Sequence, residues 1–165
     1  MSKLDLTRDF VPVRIAVLTI SDTRTLSDDK SGDLLATKIS EAGHILVRRE
    51  ITQDDVPKIT QKLKGNIQDP DTDVVISTGG TGLTGRDVTP EAFRSIFDKE
   101  IEGFGEMFRF LSFQKIGTST LQSRAVAGVA GGTCSYQRII FIHYFLSPSV
   151  FAAGAVAAAF LSAGV

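Results

Sequence analysis

The sequence predicts an α/β domain built on a mostly parallel sheet. Three observations predict it. Short apolar runs rich in branched residues recur, beginning with Val13–Ile20 (VRIAVLTI). Stretches with apolar residues at helical spacing separate them. The third run leads straight into the glycine-rich segment Ser77–Pro90, as expected where a parallel strand ends at a ligand site. Strands and helices alternate rather than segregate, which is the pattern of β-α-β units.

Each element has its own signal. Val13–Ile20 reads as a buried strand, with Ser21-Asp22 at its carboxyl end. Thr23–Gly32 is polar and reads as a loop. Asp33–Ala42 carries Leu34, Leu35 and Ile39 at helical spacing, with Gly43 as a stop signal. Ile45–Val47 is the second strand. Val56–Leu63 is the second helix, with Val56, Ile59 and Leu63 on one face; Asp54 or Asp55 can cap it. Asp69-Pro70-Asp71 is a turn, and Val74–Ser77 is the third strand. Thr89-Pro90-Glu91 reads as a helix start, with Thr89 as cap, Pro90 at the first helical position and Glu91 at the positive helix end. That helix is expected to run through Phe93, Ile96 and Phe97. Glu102–Leu111 reads as another helix around the Gly103/Gly105 pair. No repeat or linker interrupts the chain. Residues 1–165 therefore read as one domain, with 1–12 as an extension and 134–165 as an atypical C-terminal segment.

Composition excludes several functions. Hydrophobic residues make up 42% and charged residues 22% of 165 residues, ordinary for a globular protein. The formal net charge is -1, whereas phosphate-backbone binders carry a basic excess, so nucleic acid is not an expected partner. Cys134 is the single cysteine, which rules out an intrachain disulfide and a cysteine metal cluster. With only His44 and His143, a histidine-rich zinc site is disfavoured. The first ten residues include Lys3, Asp5, Arg8 and Asp9 and lack the apolar core of a signal peptide, so a cytoplasmic location is expected. Val150–Val165 falls short of the roughly 20 apolar residues of a membrane span, and no membrane association is expected.

Most of the chemical information lies in Ser77–Pro90 (STGGTGLTGRDVTP). Glycines let a backbone approach an anion and present its N–H groups. Thr78, Thr81 and Thr84 add hydroxyls. Arg86 suits phosphate, and Asp87 suits magnesium or the orientation of a nucleophile. There is no GxxxxGK[ST] P-loop, and no GxGxxG after the first strand. A tight glycine turn that merely joins strand to helix is the bland alternative; the threonines, arginine and aspartate set among the glycines argue against it. His44 reads as a structural residue, and the phenylalanines read as core or interface.

Together with other motifs, this segment resembles the signature of the MoaB/MogA family of molybdenum-cofactor biosynthesis, also seen in gephyrin-like G domains. Ile20-Ser21-Asp22 resembles the family's first-strand motif, Gly103-Phe104-Gly105-Glu106 its GFGE segment, and Thr118–Gly128 (TSTLQSRAVAG) the region around its Ser-Arg pair. The likeness spans about Arg14 to Thr133 and is strongest to the MoaB branch. It implies a three-layer, doubly wound α/β fold, assembled as a trimer or hexamer. It also implies binding of molybdopterin and its adenylylation by Mg2+ and ATP, with other pathway proteins as partners. Residue by residue, Asp87 and Asp54 match the acidic positions expected to act with magnesium, with Asp55 as the alternative to Asp54. Ser21 and Asp22 match the first-strand loop. Thr78, Gly79, Gly80, Thr81, Gly82 and Arg86 match the phosphate-facing loop. Glu106, Ser123 and Arg124 match positions near the pterin. A non-catalytic pterin-binding or scaffold role in the same pathway is the alternative implied function.

The family pattern breaks after Gly132-Thr133. Family members continue with an apolar strand, a Pro-Gly loop and a charged terminal helix. Here Cys134-Ser135-Tyr136-Gln137-Arg138 follows, and from Ile139 to Val165 there is no Asp, Glu, Lys or Arg. A shifted reading frame or sequence error from about Cys134 accounts for this abrupt change; a divergent tail is the other reading.

Overall fold

The computed structural model describes residues 10–131 and the backbone of residues 138–142. The described residues form one sheet of six strands in the order β2-β1-β3-β6-β5-β4. These are β1 (Arg14–Ile20), β2 (Ile45–Thr52), β3 (Val74–Thr78), β4 (Lys99–Glu100), β5 (Ala127–Ala130) and β6 (Arg138–Ile142). The helices are α1 (Lys30–Glu41), α2 (Val56–Gln68), α3 (Thr89–Arg94) and α4 (Glu102–Ile116), followed by a 3-10 segment at Gly117–Gln122. Strands β2, β1, β3 and β6 run parallel, and β5 is antiparallel to both β6 and β4. This is the mostly parallel sheet that the sequence predicts.

The side-chain alternation of β1 builds both cores, because successive strand residues face opposite sides. Ile15 and Val17 pack with Leu35 and Ile39 of α1. Ala16, Leu18 and Ile20 pack with Ile59 and Leu63 of α2 and Phe93 of α3. Helices therefore cover both faces, giving three layers. Ile39, Ile59 and Leu63 are fully buried, each worth about 1.5–3 kcal/mol of transfer free energy. A smaller cluster pairs Phe108 of α4 with Ala125.

Several boundaries differ from the sequence reading. Strand β2 extends to Thr52 rather than stopping at Val47, with Arg48, Arg49 and Glu50 inside it. As an edge strand it can carry charges that a central strand cannot. Helix α1 starts at Lys30, inside the expected loop, because Asp29 caps it by accepting the Gly32 N–H at 3.0 Å. Asp29 is 1% exposed and also accepts the Thr19 hydroxyl at 2.7 Å. Helix α2 runs on to Gln68 and α4 to Ile116. Helix α3 begins at Thr89 with Val88, not Thr89, as its cap, and ends at Arg94, short of Phe97. Strand β4 and the 3-10 segment lack an apolar run to announce them, whereas β5 and β6 lie in the apolar stretches AVAGVA and IIFI that the sequence reading did not assign to strands. Strand β6 lies within the segment read as atypical and pairs Val74 through Ser77 of β3 with Ile139 through Ile142. The remainder of 134–165 lies outside the described residues, as do residues 1–9. Among the described residues no helix is long and apolar enough to cross a membrane.

Candidate functional site

The sheet order reverses at β1: the chain leaves it toward β2 on one side and returns to β3 on the other. Carboxyl ends of strands at such a point open a crevice. Three loops meet there. After β1, the Ser21 N–H donates to the Thr52 carbonyl at 2.8 Å, joining the ends of β1 and β2. The Ser21 hydroxyl oxygen accepts the Thr23 and Arg24 N–H groups at 3.3 and 3.2 Å. Asp22 reaches across to the other loops. Its Oδ1 accepts the Asp54 N–H at 3.2 Å, and its Oδ2 pairs with Arg86.

After β2, two adjacent aspartates divide two tasks. Asp55 caps α2 by accepting the Lys58 N–H at 3.0 Å. Asp54 turns to the glycine loop, where its Oδ1 accepts the Val88 N–H at 3.1 Å. Of the two acidic residues left open by the sequence, the geometry puts Asp54 at the crevice.

After β3, the chain makes a turn that only glycine fits. Gly79 has φ +101, and a Cβ there would lie 2.1 Å from the Ile20 carbonyl oxygen. Gly80 has φ +61, and its Cβ would lie 2.1 Å from Thr89 Oγ1 and 2.6 Å from Asp54 Oδ2. The Gly80 carbonyl accepts the Thr89 N–H at 3.1 Å, closing the loop onto α3. Thr78 and Thr81 are buried. At Gly82 a Cβ would lie 2.9 Å from Asp87 Oδ2, which also accepts the Thr84 hydroxyl. The Asp87 N–H donates to the Thr84 carbonyl at 3.1 Å.

Two arginines sit here in different states. Arg86 is exposed and pairs with Asp22 at the mouth of the crevice. Arg124 lies beneath the loop. Its Nε donates to the Gly82 carbonyl at 3.0 Å, its Nη2 to the Asp87 carbonyl, and its Nη1 to Glu91. Ser123 Oγ is buried without a hydrogen-bond partner, and its carbonyl accepts Arg109 Nη1 at 3.3 Å. Glu106 is exposed on α4, beside the buried Gly105. Among the described residues no hydrogen bond joins Glu106 to the glycine loop.

Asp22, Asp54 and Asp87 thus converge on one side of the loop. Burial holds the Asp54 carboxyl above the usual carboxylate range, and the Asp87 and Asp22 charges push the same way, against the Val88 N–H. Among the described residues no group of three or more acidic, histidine or cysteine side chains is disposed to hold a metal ion. Magnesium does not require one. It binds through one or two carboxylates together with substrate phosphates and water, so the Asp54/Asp87 pair fits such an ion. At Gly80 the absence of a Cβ lets Thr89 Oγ1 and the Asp54 carboxylate close onto the loop, and the buried Thr89 hydroxyl has no hydrogen-bond partner there. Sequence reading assigned Thr89 to capping and Glu91 to the helix dipole; both belong to this cluster. Only the crowding of threonine and glutamate against the glycine segment hinted at it.

Comparison with known proteins gives a consistent picture. Residues 16–150 match the family model described as "Probable molybdopterin binding domain". The chain is 52% identical over 125 residues to molybdenum cofactor biosynthesis protein B of Escherichia coli (strain K12), covering 76% of this chain and 74% of that protein. The Bacillus cereus protein of the same name is 49% identical over 120 residues, covering 72% and 71%. Among solved structures, a molybdenum cofactor biosynthesis protein B superposes with a TM-score of 0.82 at 38% identity, covering 94% of this chain and 99% of the other. The tungsten cofactor synthesizing protein MoaB from Pyrococcus furiosus superposes with a TM-score of 0.80 at 30% identity, covering 93% and 97%.

Proposed function

The chain belongs to the molybdopterin-binding domain family of molybdenum-cofactor biosynthesis, and on that premise we propose that it adenylylates molybdopterin with Mg-ATP, releasing pyrophosphate. The observation that carries this reading is the convergence of Asp22, Asp54 and Asp87 on a glycine-rich loop that follows a parallel strand.

A terminal phosphate oxygen of molybdopterin would attack the α-phosphorus of ATP. One P–O bond forms, the bond to the pyrophosphate leaving group breaks, and AMP is transferred. The attacking phosphate is already ionised, so no strong general base is needed. What the transfer needs is in-line placement and a clamp on charge. Asp54 and Asp87 would hold magnesium, which when bound neutralises triphosphate charge. The loop at residues 79–82 would cradle phosphate. Arg86 would leave Asp22 and pair with the phosphates; being exposed, its ion pair with Asp22 is worth little and is easily exchanged. Ser21, Ser123 and Glu106 are assigned to ligand contacts around this centre, and Thr78 and Thr81 to support of the loop.

A second reading is a non-catalytic molybdopterin-binding or scaffold protein of the same pathway. It is favoured by the internal pairing of both arginines, Arg86 with Asp22 and Arg124 with Glu91. Mixing the protein with ATP, magnesium and molybdopterin separates the two: stoichiometric pyrophosphate release supports the enzyme, and pterin binding without release supports the scaffold.

A further inference from the structure

Arg124 is a basic residue at a site proposed to bind phosphates, yet each of its three guanidinium nitrogens donates to the protein. Nε serves the Gly82 carbonyl at 3.0 Å and, more weakly, the Thr81 carbonyl at 3.4 Å. Nη2 serves the Asp87 carbonyl and Nη1 serves Glu91. One planar fork therefore holds both ends of the exposed loop at residues 82–87. Glu91 lies in the first turn of α3, and α3 is itself tied to the loop by the Thr89 N–H to Gly80 carbonyl bond at 3.1 Å. Glu91 consequently fixes the guanidinium relative to the helix. The guanidinium in turn fixes the backbone that carries Asp87.

We propose that Arg124 and Glu91 are positioning residues that hold the Asp87 carboxylate in place by clamping both ends of its loop, and that neither touches a ligand. The proposal refines the adenylylation reading by assigning Arg124 to the loop rather than to substrate. Without the clamp, the segment has few other holds. Leu83, Thr84, Gly85 and Arg86 are exposed, and its internal bond from the Asp87 N–H to the Thr84 carbonyl spans a single turn. A lysine cannot replace the fork, because a point charge serves one direction at a time where guanidinium serves several carbonyls in a plane.

The test uses the full chain with no ligand added, and reads amide hydrogen exchange at Asp87, Val88 and Thr89, whose N–H groups are bonded to Thr84, Asp54 and Gly80. Arg124→Lys is expected to speed exchange at these three amides about tenfold relative to amides in β1. Glu91→Gln, the milder change, is expected to speed it about threefold. A second arm measures Mg-ATP binding by calorimetry at two magnesium concentrations. Affinity lost in Arg124→Lys is expected to recover largely at high magnesium, because Asp87 is displaced rather than missing. Unchanged exchange in both variants overturns the proposal. So does an affinity loss in Arg124→Lys that magnesium does not relieve while exchange stays at the wild-type rate, since that is the behaviour of a direct phosphate contact. The exchange arm stands even if wild-type protein releases no pyrophosphate, so failure of the clamp and failure of the enzymatic reading are separable.

Discussion

Asp54 accepts the Val88 N–H at 3.1 Å, binding the end of β2 to the far end of the glycine loop. This bond brings an acidic residue from one β-α connection over the glycine turn of another. It also places Asp54 where its own charge is disfavoured, by burial and by Asp87 and Asp22. A site that gathers like charges stores strain which a cation can relieve.

The Asp54→Asn variant is therefore expected to be more stable than wild type at pH 7 in magnesium-free buffer. The sign follows from proton binding. With a folded pKa above its ordinary value, Asp54 costs stability as pH rises through the window between the ordinary and the raised value, and the cost persists at neutral pH. Asparagine keeps an acceptor for the Val88 N–H and removes the charge. A gain of about 1–3 °C in Tm is expected, together with loss of magnesium-dependent ATP binding. A Tm below wild type at pH 7 contradicts this view of the cluster.

Glycine substitutions rank the loop. Gly79→Ala sets a Cβ 2.1 Å from a backbone carbonyl in β1, at φ +101, and neither side can yield. Gly80→Ala meets the ends of the Thr89 and Asp54 side chains, which can turn aside. Urea unfolding should show a loss of about 2–4 kcal/mol for Gly79→Ala and about 1–3 kcal/mol for Gly80→Ala. Equal stability of either variant with wild type excludes the described turn.

His44 supplies a pH dependence away from the site. Its Nδ1 accepts the Val13 N–H at 3.3 Å, its ring lies 5.1 Å from that of Phe10, and burial holds its pKa below 6.5. The folded state therefore binds the proton less readily than the unfolded chain. The contribution of neutral His44 is full above pH 6.5 and is lost as pH falls below it toward the depressed folded value. Tm of wild type should fall faster between pH 6.5 and 5 than Tm of His44→Gln. Parallel curves count against it.

Helix α4 turns Phe108 inward but leaves Met107, Phe110 and Phe113 more than half exposed. In the homo-oligomer reading, trimer or hexamer, these side chains are assigned to a subunit interface, where apolar area is covered. Phe110→Glu with Phe113→Glu should then reduce the mass seen by light scattering to that of a monomer. An unchanged mass moves the interface elsewhere.

How much was legible in the sequence varies by element. Val13–Ile20 announced β1 because it is central and buried on both faces, so its apolar run is continuous. Strand β2 outruns its apolar signal because Arg48, Arg49 and Glu50 break the run at an edge where charge is tolerated. The start of helix α1 is hidden in the sequence because its cap, Asp29, is a buried acid whose partners Thr19 and Arg49 come from other elements. The glycine turn was legible since positive φ demands glycine at residues 79 and 80. The division of labour between Asp54 and Asp55 was not, because both sit at a helix start and only the third dimension separates capping from facing the loop. For the same reason the family resemblance put Arg124 near the pterin: nothing local shows that carbonyls 37 to 43 residues away engage its Nε and Nη2.

The most direct measurement is pyrophosphate release from ATP on addition of molybdopterin and magnesium, by wild type and by Asp87→Ala, with pterin binding followed in parallel. The account predicts release by wild type, at least a hundredfold less by the variant, about the scale lost when a transition-state charge clamp is removed, and pterin binding largely intact in both. Turnover by Asp87→Ala at the wild-type rate would contradict it.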